Sequence, residues 1–121
     1  MDIQPEQIER HIHFLCKRPG MYVEEISFKS VATHLEGYFV GLMSLTDTKM
    51  FSSWRYWVAM KYGIWDCAWS WSRTIRSSVD TDDEAIAMLP ILFKEFIEKY
   101  RTSSDLKIEE EHMSFNYRKN T

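Results

Sequence analysis

The chain has 121 residues, of which 45% are hydrophobic, and its formal net charge at pH 7 is −3. A chain of this length and charge balance can bury its own core, which predicts one globular domain and excludes a disordered chain. Cys16 and Cys67 lie far apart, and no apolar run approaches the roughly 20 residues of a membrane helix. The sequence therefore argues against a disulfide framework and a membrane span. The first residues lack a signal-peptide pattern, so we expect a cytoplasmic protein.

The first predicted helix begins near Pro5 and ends before Pro19. Proline suits a first helical turn, where its missing N–H is not needed. Apolar residues then recur at helical spacing. Pro19 removes a backbone donor and Gly20 can take a positive φ, so together they end the helix in a pinned turn. The apolar positions are Ile8, Ile12, Leu15 and Cys16.

The second predicted helix follows a short extended segment and runs to about Leu45. Ser27 or Ser30 can cap its start. Gly37 and Gly41 lie four residues apart, which predicts that another backbone approaches closely there. The apolar face consists of Val31, Leu35, Tyr38, Phe39, Leu42 and Met43.

Two shorter helices are predicted in the Trp-rich middle of the chain. Ser52 or Ser53 can cap the third helix, and Gly63 ends it. Asp66 can cap the fourth, which fades by residues 77–78. The third helix carries Trp54, Trp57 and Val58, and the fourth carries Trp69, Ser72 and Ile75.

The fifth predicted helix opens at Thr81 with the clearest start signal in the chain. Glu84 stands three residues further on and completes a capping box. An interior proline costs roughly 3 kcal/mol relative to alanine, so a kink without a break is expected at Pro90. The apolar stripe consists of Ile86, Leu89, Phe93, Phe96, Ile97 and Tyr100.

The segment after Arg101 is polar, and an irregular C-terminal tail is predicted from about residue 102. The alternation of Met113, Phe115 and Tyr117 gives a weak hint of a strand. Five helices with short connections predict an all-α fold. The expected architecture is a single-domain bundle of about five helices over residues 1–121, ending in that tail.

No set of residues in the sequence indicates catalysis or metal binding. His11 and His13 are two apart on a helix and face different ways, while His13 with Cys16 would supply fewer ligands than a zinc site needs. Cys16 and Cys67 fit as small apolar residues, and a thiol enzyme would require one of them to be reactive. A Gly-rich phosphate loop and an H-E-x-x-H motif are both missing. We expect no enzymatic activity, no metal and no cofactor.

Residues 54–76 combine aromatic and basic side chains. Such a stretch can stack bases and hold phosphates, so a nucleic-acid-binding module is the alternative function. Helical spacing instead places four of the tryptophans in the core and leaves Trp71 as the best surface candidate. The net charge of −3 for the whole chain also opposes strong non-specific binding to nucleic acid. The four are Trp54, Trp57, Trp65 and Trp69, and the local charge of +3 comes from Arg55, Lys61, Arg73 and Arg76 against Asp66.

Acidic residues are concentrated late in the chain, where residues 80–121 carry ten acids against six bases. One interpretation is a solvated face, with Asp82 to Glu84 complementing a helix dipole. The other is a docking surface for a basic protein, because charge complementarity raises association rates and selects partners. The candidate contacts are Glu24, Glu25, Asp80, Asp82, Glu109, Glu110 and Glu111.

Four stretches of the chain stand out: Arg18-Pro19-Gly20-Met21-Tyr22 (the RPGMY motif), Leu35-Glu36-Gly37-Tyr38, a Trp-rich middle, and Asp83-Glu84-Ala85 at the start of a Phe-rich helix. Together they resemble a group of small bacterial proteins. Some members of that group are similar to immunity proteins of contact-dependent growth inhibition and related polymorphic toxin systems. The resemblance covers about residues 8–100, and Val23-Glu24 depart from it where relatives often have a glycine. It implies a cytoplasmic inhibitor that binds the toxin domain of its own system, often a nuclease with a basic cleft.

The turn at the RPGMY motif is predicted to dock against the fifth helix. Met21 and Tyr22 would otherwise leave large apolar side chains exposed, and that helix offers the longest apolar stripe to cover them. The expected contacts are with Phe93 or Phe96. On this expectation, Tyr22→Ala destabilises the fold by about 3–5 kcal/mol.

Overall fold

The described part of the chain folds into six α-helices. The computed structural model describes residues 4–64 and 70–120, with side chains described through residue 115. The described residues contain no strand, so the predicted all-α class is confirmed, with one helix more than the five expected. Trp65, Asp66, Cys67, Trp69 and the side chain of Tyr117 lie outside the described residues. The helices are α1 Pro5–Lys17, α2 Phe28–Leu45, α3 Met50–Lys61, α4 Trp71–Ser77, α5 Asp82–Arg101 and α6 Asp105–Asn120, and a 3₁₀ turn spans Pro19–Met21.

Three of the residues predicted to begin or end a helix are confirmed by their local geometry. The hydroxyl of Ser27 accepts a hydrogen bond from the Ser30 amide at 3.1 Å and starts α2. The hydroxyl of Thr81 accepts from the Glu84 amide at 3.2 Å and starts α5. Gly63 follows α3 with a φ of 72°, a conformation that L side chains resist, and so ends that helix. No helix in the described parts of the chain is long and apolar enough to cross a bilayer.

The third and fourth helices begin at residues other than those predicted. The Thr48 hydroxyl accepts from the Met50 amide at 3.2 Å, so α3 starts before Ser52 and Ser53. Ser53 is instead buried within the helix and faces α6. The fourth helix, α4, starts after Ser70, whose hydroxyl accepts from a backbone amide one turn into the helix.

The helix α5 lies at the centre of the packing, since α1, α2 and α4 all contact it. Its predicted apolar stripe is buried except for the half-buried Tyr100, and the helix runs through Pro90 without a break. Trp54 of α3 is fully buried, with its ring 5.6 Å from the ring of Phe93 and 5.5 Å from that of Phe96. These three aromatic side chains join α3 to α5.

Trp71 is buried, so the prediction that it lies at the surface is wrong. It is the first residue of α4, a short helix held between α3 and α5. Its ring meets the ring of Trp54 edge-on at 5.7 Å, and 3% of the residue is exposed. The predicted core position of Trp54 is confirmed, and Trp57 is half-buried against the core.

The segment after residue 102 is helical, which corrects the prediction of an irregular tail. Ile108 and His112 lie one helical turn apart on α6, and both are buried where this helix packs on α3. The His112 ring stacks on Tyr56 at 4.5 Å, and Ser53 donates to an Asp105 oxygen at 2.6 Å. The four-residue spacing of the buried Ile108 and His112 is that of a helix. The alternation of Met113, Phe115 and Tyr117 does not produce a strand, and Met113 is 63% exposed.

The RPGMY turn does not dock on α5, contrary to prediction. Met21 is 73% exposed and Tyr22 39% exposed, and neither ring contact of Tyr22 involves a phenylalanine of α5. The reason is that α1 itself packs along α5 and occupies that surface. Gly37 and Gly41 are also exposed, and a Cβ added at either would meet no atom within 4 Å, so they mediate no close approach.

The packing of α6 can be tested with two substitutions on the same helix. Ile108→Ala should lower the free energy of unfolding by about 2–5 kcal/mol, because it empties a fully buried site. Leu106→Ala is the matched control: that side chain is 63% exposed, so the change should stay within about 0.5 kcal/mol. Urea unfolding followed by circular dichroism gives both values. Equal small losses would show that α6 does not pack as described.

Candidate functional site

The RPGMY motif forms a turn that its own backbone hydrogen bonds hold. The Met21 amide donates to the Arg18 carbonyl at 3.1 Å. The amides of Tyr22 and Val23 both donate to the Pro19 carbonyl at 2.9 Å. Because proline also fixes its own φ, the backbone of this turn has little freedom.

Gly20 contributes space to the turn. Gly20 does not adopt the positive φ that glycine allows. Among the described residues, Gly63 is the glycine with a positive φ. A Cβ added at Gly20 would lie 3.4 Å from the Cδ1 atom of Ile26. Ile26 therefore lies directly over the turn, with 58% of its surface exposed.

Large apolar side chains around this turn are open to solvent. Phe14 is 48% exposed, next to the exposed Met21 and Tyr22. Together with Lys17 and Arg18 they line an open hollow of about 320 Å³. We call these five residues the turn surface. Contiguous exposed apolar side chains with a polar rim are typical of protein interaction sites.

Tyr22 rests on two histidines. The Nε2 atoms of His11 on α1 and His34 on α2 are 3.2 Å apart, which is a hydrogen bond when one nitrogen carries the proton and the other does not. The Tyr22 ring lies at a steep angle to both imidazoles, at 5.6 and 5.7 Å between centroids. The His11 ring also stacks on Tyr38 at 4.1 Å. We call His11 and His34 the histidine pair, and it supports one edge of the turn surface.

Partial burial affects the protonation of His11. The pKa of His11 is lowered, first by desolvation and then by the neighbouring charge of His34 when that residue is protonated. Burial against α3 also lowers the pKa of His112. Both shifts favour the neutral imidazole in the folded state.

Two of the predicted acidic contacts form ion pairs within the fold. Asp82 accepts from Arg76 at 2.6 Å and from the Phe28 amide at 3.2 Å, and these bonds lower the pKa of its carboxyl group. Glu111 accepts from Lys99 at 3.1 Å, which ties α6 to α5. Both carboxylates therefore have a structural role whether or not they also contact a partner.

The other five predicted contacts carry carboxylates that make no ion pair or hydrogen bond within the described residues. The Phe28–Asp82 bond joins the first residue of α2 to the first residue of α5, so the acidic clusters that precede these two helices lie on linked segments. The third cluster lies on α6, which packs on α3. All seven residues remain candidate contacts. The five are Glu24, Glu25, Asp80, Glu109 and Glu110.

The described residues give little support to a thiol enzyme, a metal site or a nucleic-acid site. Burial raises the pKa of the Cys16 thiol to about 12, which favours the protonated and weakly nucleophilic form at neutral pH. The described residues contain no group of three or more histidine, cysteine, aspartate or glutamate side chains that could hold a metal ion. The alternative site for nucleic acid, residues 54–76, has Trp54 and Trp71 in the core, and Lys61 and Arg76 in ion pairs.

The chain matches no family model, no curated protein and no solved structure. Its function must therefore be inferred from its own surface. The sequence pattern did not lead us to predict Phe14 and Lys17 as parts of the turn surface. Phe14 falls outside the apolar stripe of α1, and this position is a signal that could have identified it. Nothing in the sequence pairs His11 with His34, because the contact depends on how α1 and α2 cross.

The histidine shifts predict that stability falls as the medium becomes acidic. A histidine in the unfolded chain takes up its proton near the ordinary pKa of 6.5, whereas His11 and His112 in the folded chain do so at lower pH. The free energy of unfolding should therefore be constant well above pH 6.5 and decrease below it. His11→Gln should flatten this decrease in part, since His112 still contributes.

The comparison variant is His13→Gln, the same substitution at an exposed position on the same helix. Denaturant unfolding at pH values between 5 and 8 gives the free energies. A wild-type slope in His11→Gln would show that the histidine pair is not linked to folding.

The partly buried thiol of Cys16 and its raised pKa predict slow alkylation of the native protein. In a Cys67→Ser variant, Cys16 should react with iodoacetamide at pH 7.5 many times more slowly than in the same protein unfolded in urea. Mass spectrometry of timed samples measures both rates. Equal rates would contradict the burial of Cys16 and reopen a thiol enzyme as a possible function.

Proposed function

We propose that this chain is a non-enzymatic immunity protein that binds and neutralises a cognate bacterial toxin domain in the cytoplasm. One observation carries the proposal: the RPGMY motif, on which the family resemblance depends, presents Met21 and Tyr22 to solvent on a rigid turn. Side chains of this size, exposed together, favour a protein partner that covers them. Inhibition by direct binding needs no catalytic residue in the inhibitor.

Charge supports a protein partner of the nuclease type. The five carboxylates without a described ion pair give the chain unneutralised negative charge that is available to a partner. Many toxins of the systems that the chain resembles are nucleases with basic clefts, and acidic residues on an inhibitor suit such clefts. The alternative, a nucleic-acid-binding module, is not favoured, because Trp54 and Trp71 are unavailable for stacking on bases.

Co-expression tests the proposal directly. Cells that produce the toxin domain encoded beside this chain should survive when the chain is also produced and die when it is not. An immunity protein from an unrelated toxin system is the control and should not protect. The proposal is wrong if cells die equally in the presence and absence of this chain, with both proteins shown to be produced.

A further inference from the structure

We infer that the turn surface is the contact surface for the toxin domain, and that the partner presents an apolar side chain with carboxylates beside it. This inference rests on the proposed function and adds to it the location and chemistry of the contact. It differs from an interface formed by the acidic clusters alone. The occupant of the hollow is a side chain of the partner, packed between Phe14, Met21 and Tyr22.

The exposed apolar side chains of the turn surface lie together. Other large apolar residues with high exposure are spread over α2, α5 and α6. At the turn surface, Phe14, Met21 and Tyr22 line one hollow, and Ile26 covers the turn beside it. A hollow of about 320 Å³ is at the small end of the range for ligand pockets and suits one or two side chains.

Rigidity favours binding at this position. The backbone of the turn is held by three hydrogen bonds, and Tyr22 packs on the histidine pair. Docking there fixes few further torsions, so little conformational entropy is lost on association. Tyrosine, arginine and methionine are also residue types that are enriched at protein interfaces.

The positive charge at the rim of the hollow indicates which charges the partner carries. Lys17 and Arg18 line the hollow, are exposed, and make no side-chain hydrogen bond or ion pair with the described residues. A guanidinium group can bind a carboxylate through two parallel hydrogen bonds. The partner should therefore carry carboxylates where it faces these two residues. Glu24 and Glu25 follow Tyr22 by two and three residues, so they lie on the same loop and can meet basic groups of the same partner.

Binding measurements with purified, catalytically inactive toxin domain test the inference. Isothermal titration should show that Met21→Ser, Tyr22→Ala and Arg18→Glu each raise Kd about tenfold or more, as substitution of central contacts does. Met113→Ser and Lys107→Glu are matched controls on α6, at exposed positions, and should leave Kd within about twofold. Thermal unfolding of each variant checks that the fold is intact. Met21→Ser keeps the test valid if Tyr22→Ala disturbs the histidine pair.

The outcomes separate the two levels of the proposal. If the wild-type chain does not bind the toxin domain, the proposed function fails and the inference with it. If the wild type binds and the turn-surface variants bind equally well, only the inference fails, and loss of binding in Glu109→Lys and Glu110→Lys would assign the contact to α6. Light scattering adds one further outcome: a wild-type dimer that Met21→Ser dissociates would make a second copy the occupant and overturn the inference.

Discussion

The contact of Trp54 with Phe93 and Phe96 is the interaction on which the rest of the structure depends. It joins α3 to α5, and every other helix packs on one of these two. Aromatic side chains of this size remove a large apolar area from water and meet at preferred tilted angles, so they set the separation of the two helices. The indole nitrogens of Trp54 and Trp71 are buried and have no hydrogen-bond partner among the described residues, which is a free-energy cost that the surrounding burial offsets.

The way in which α5 is covered explains why the turn surface is open. A helix in this position has one broad apolar face, and α1 lies along it with Ile8, Ile12 and Leu15 buried. The turn after α1 then projects past the edge of the core, where a pair of histidines supports it. Exposure of the RPGMY motif is thus a consequence of the helix packing. The motif is held rigidly but is not needed to fill the core.

Some charged residues form ion pairs within the fold, and others form none among the described residues. Asp82 and Glu111 pair with bases on neighbouring segments, and Glu6 of α1 pairs with Arg101 at the end of α5. Such partly exposed pairs contribute little stability, so they orient helices more than they hold them together. The carboxylates without a described pair, with Lys17 and Arg18 on the turn surface, are the charges that a partner can meet. The net charge of the chain does not distinguish the paired charges from those without a described pair.

The amino-acid sequence was enough to predict the helical class, most of the helix boundaries and the apolar stripe of α5, because capping residues and the 3.6-residue period are local properties. It also identified the RPGMY motif. Which residues are covered followed from the way the helices pack: Trp71 is buried, Met21 is exposed, and the buried Ile108 and His112 belong to a helix where a tail was predicted. The physical reason is that burial depends on which surfaces meet. Periodicity identifies an apolar face on each helix, but whether α1 or the following turn covers α5 depends on how the helices pack together.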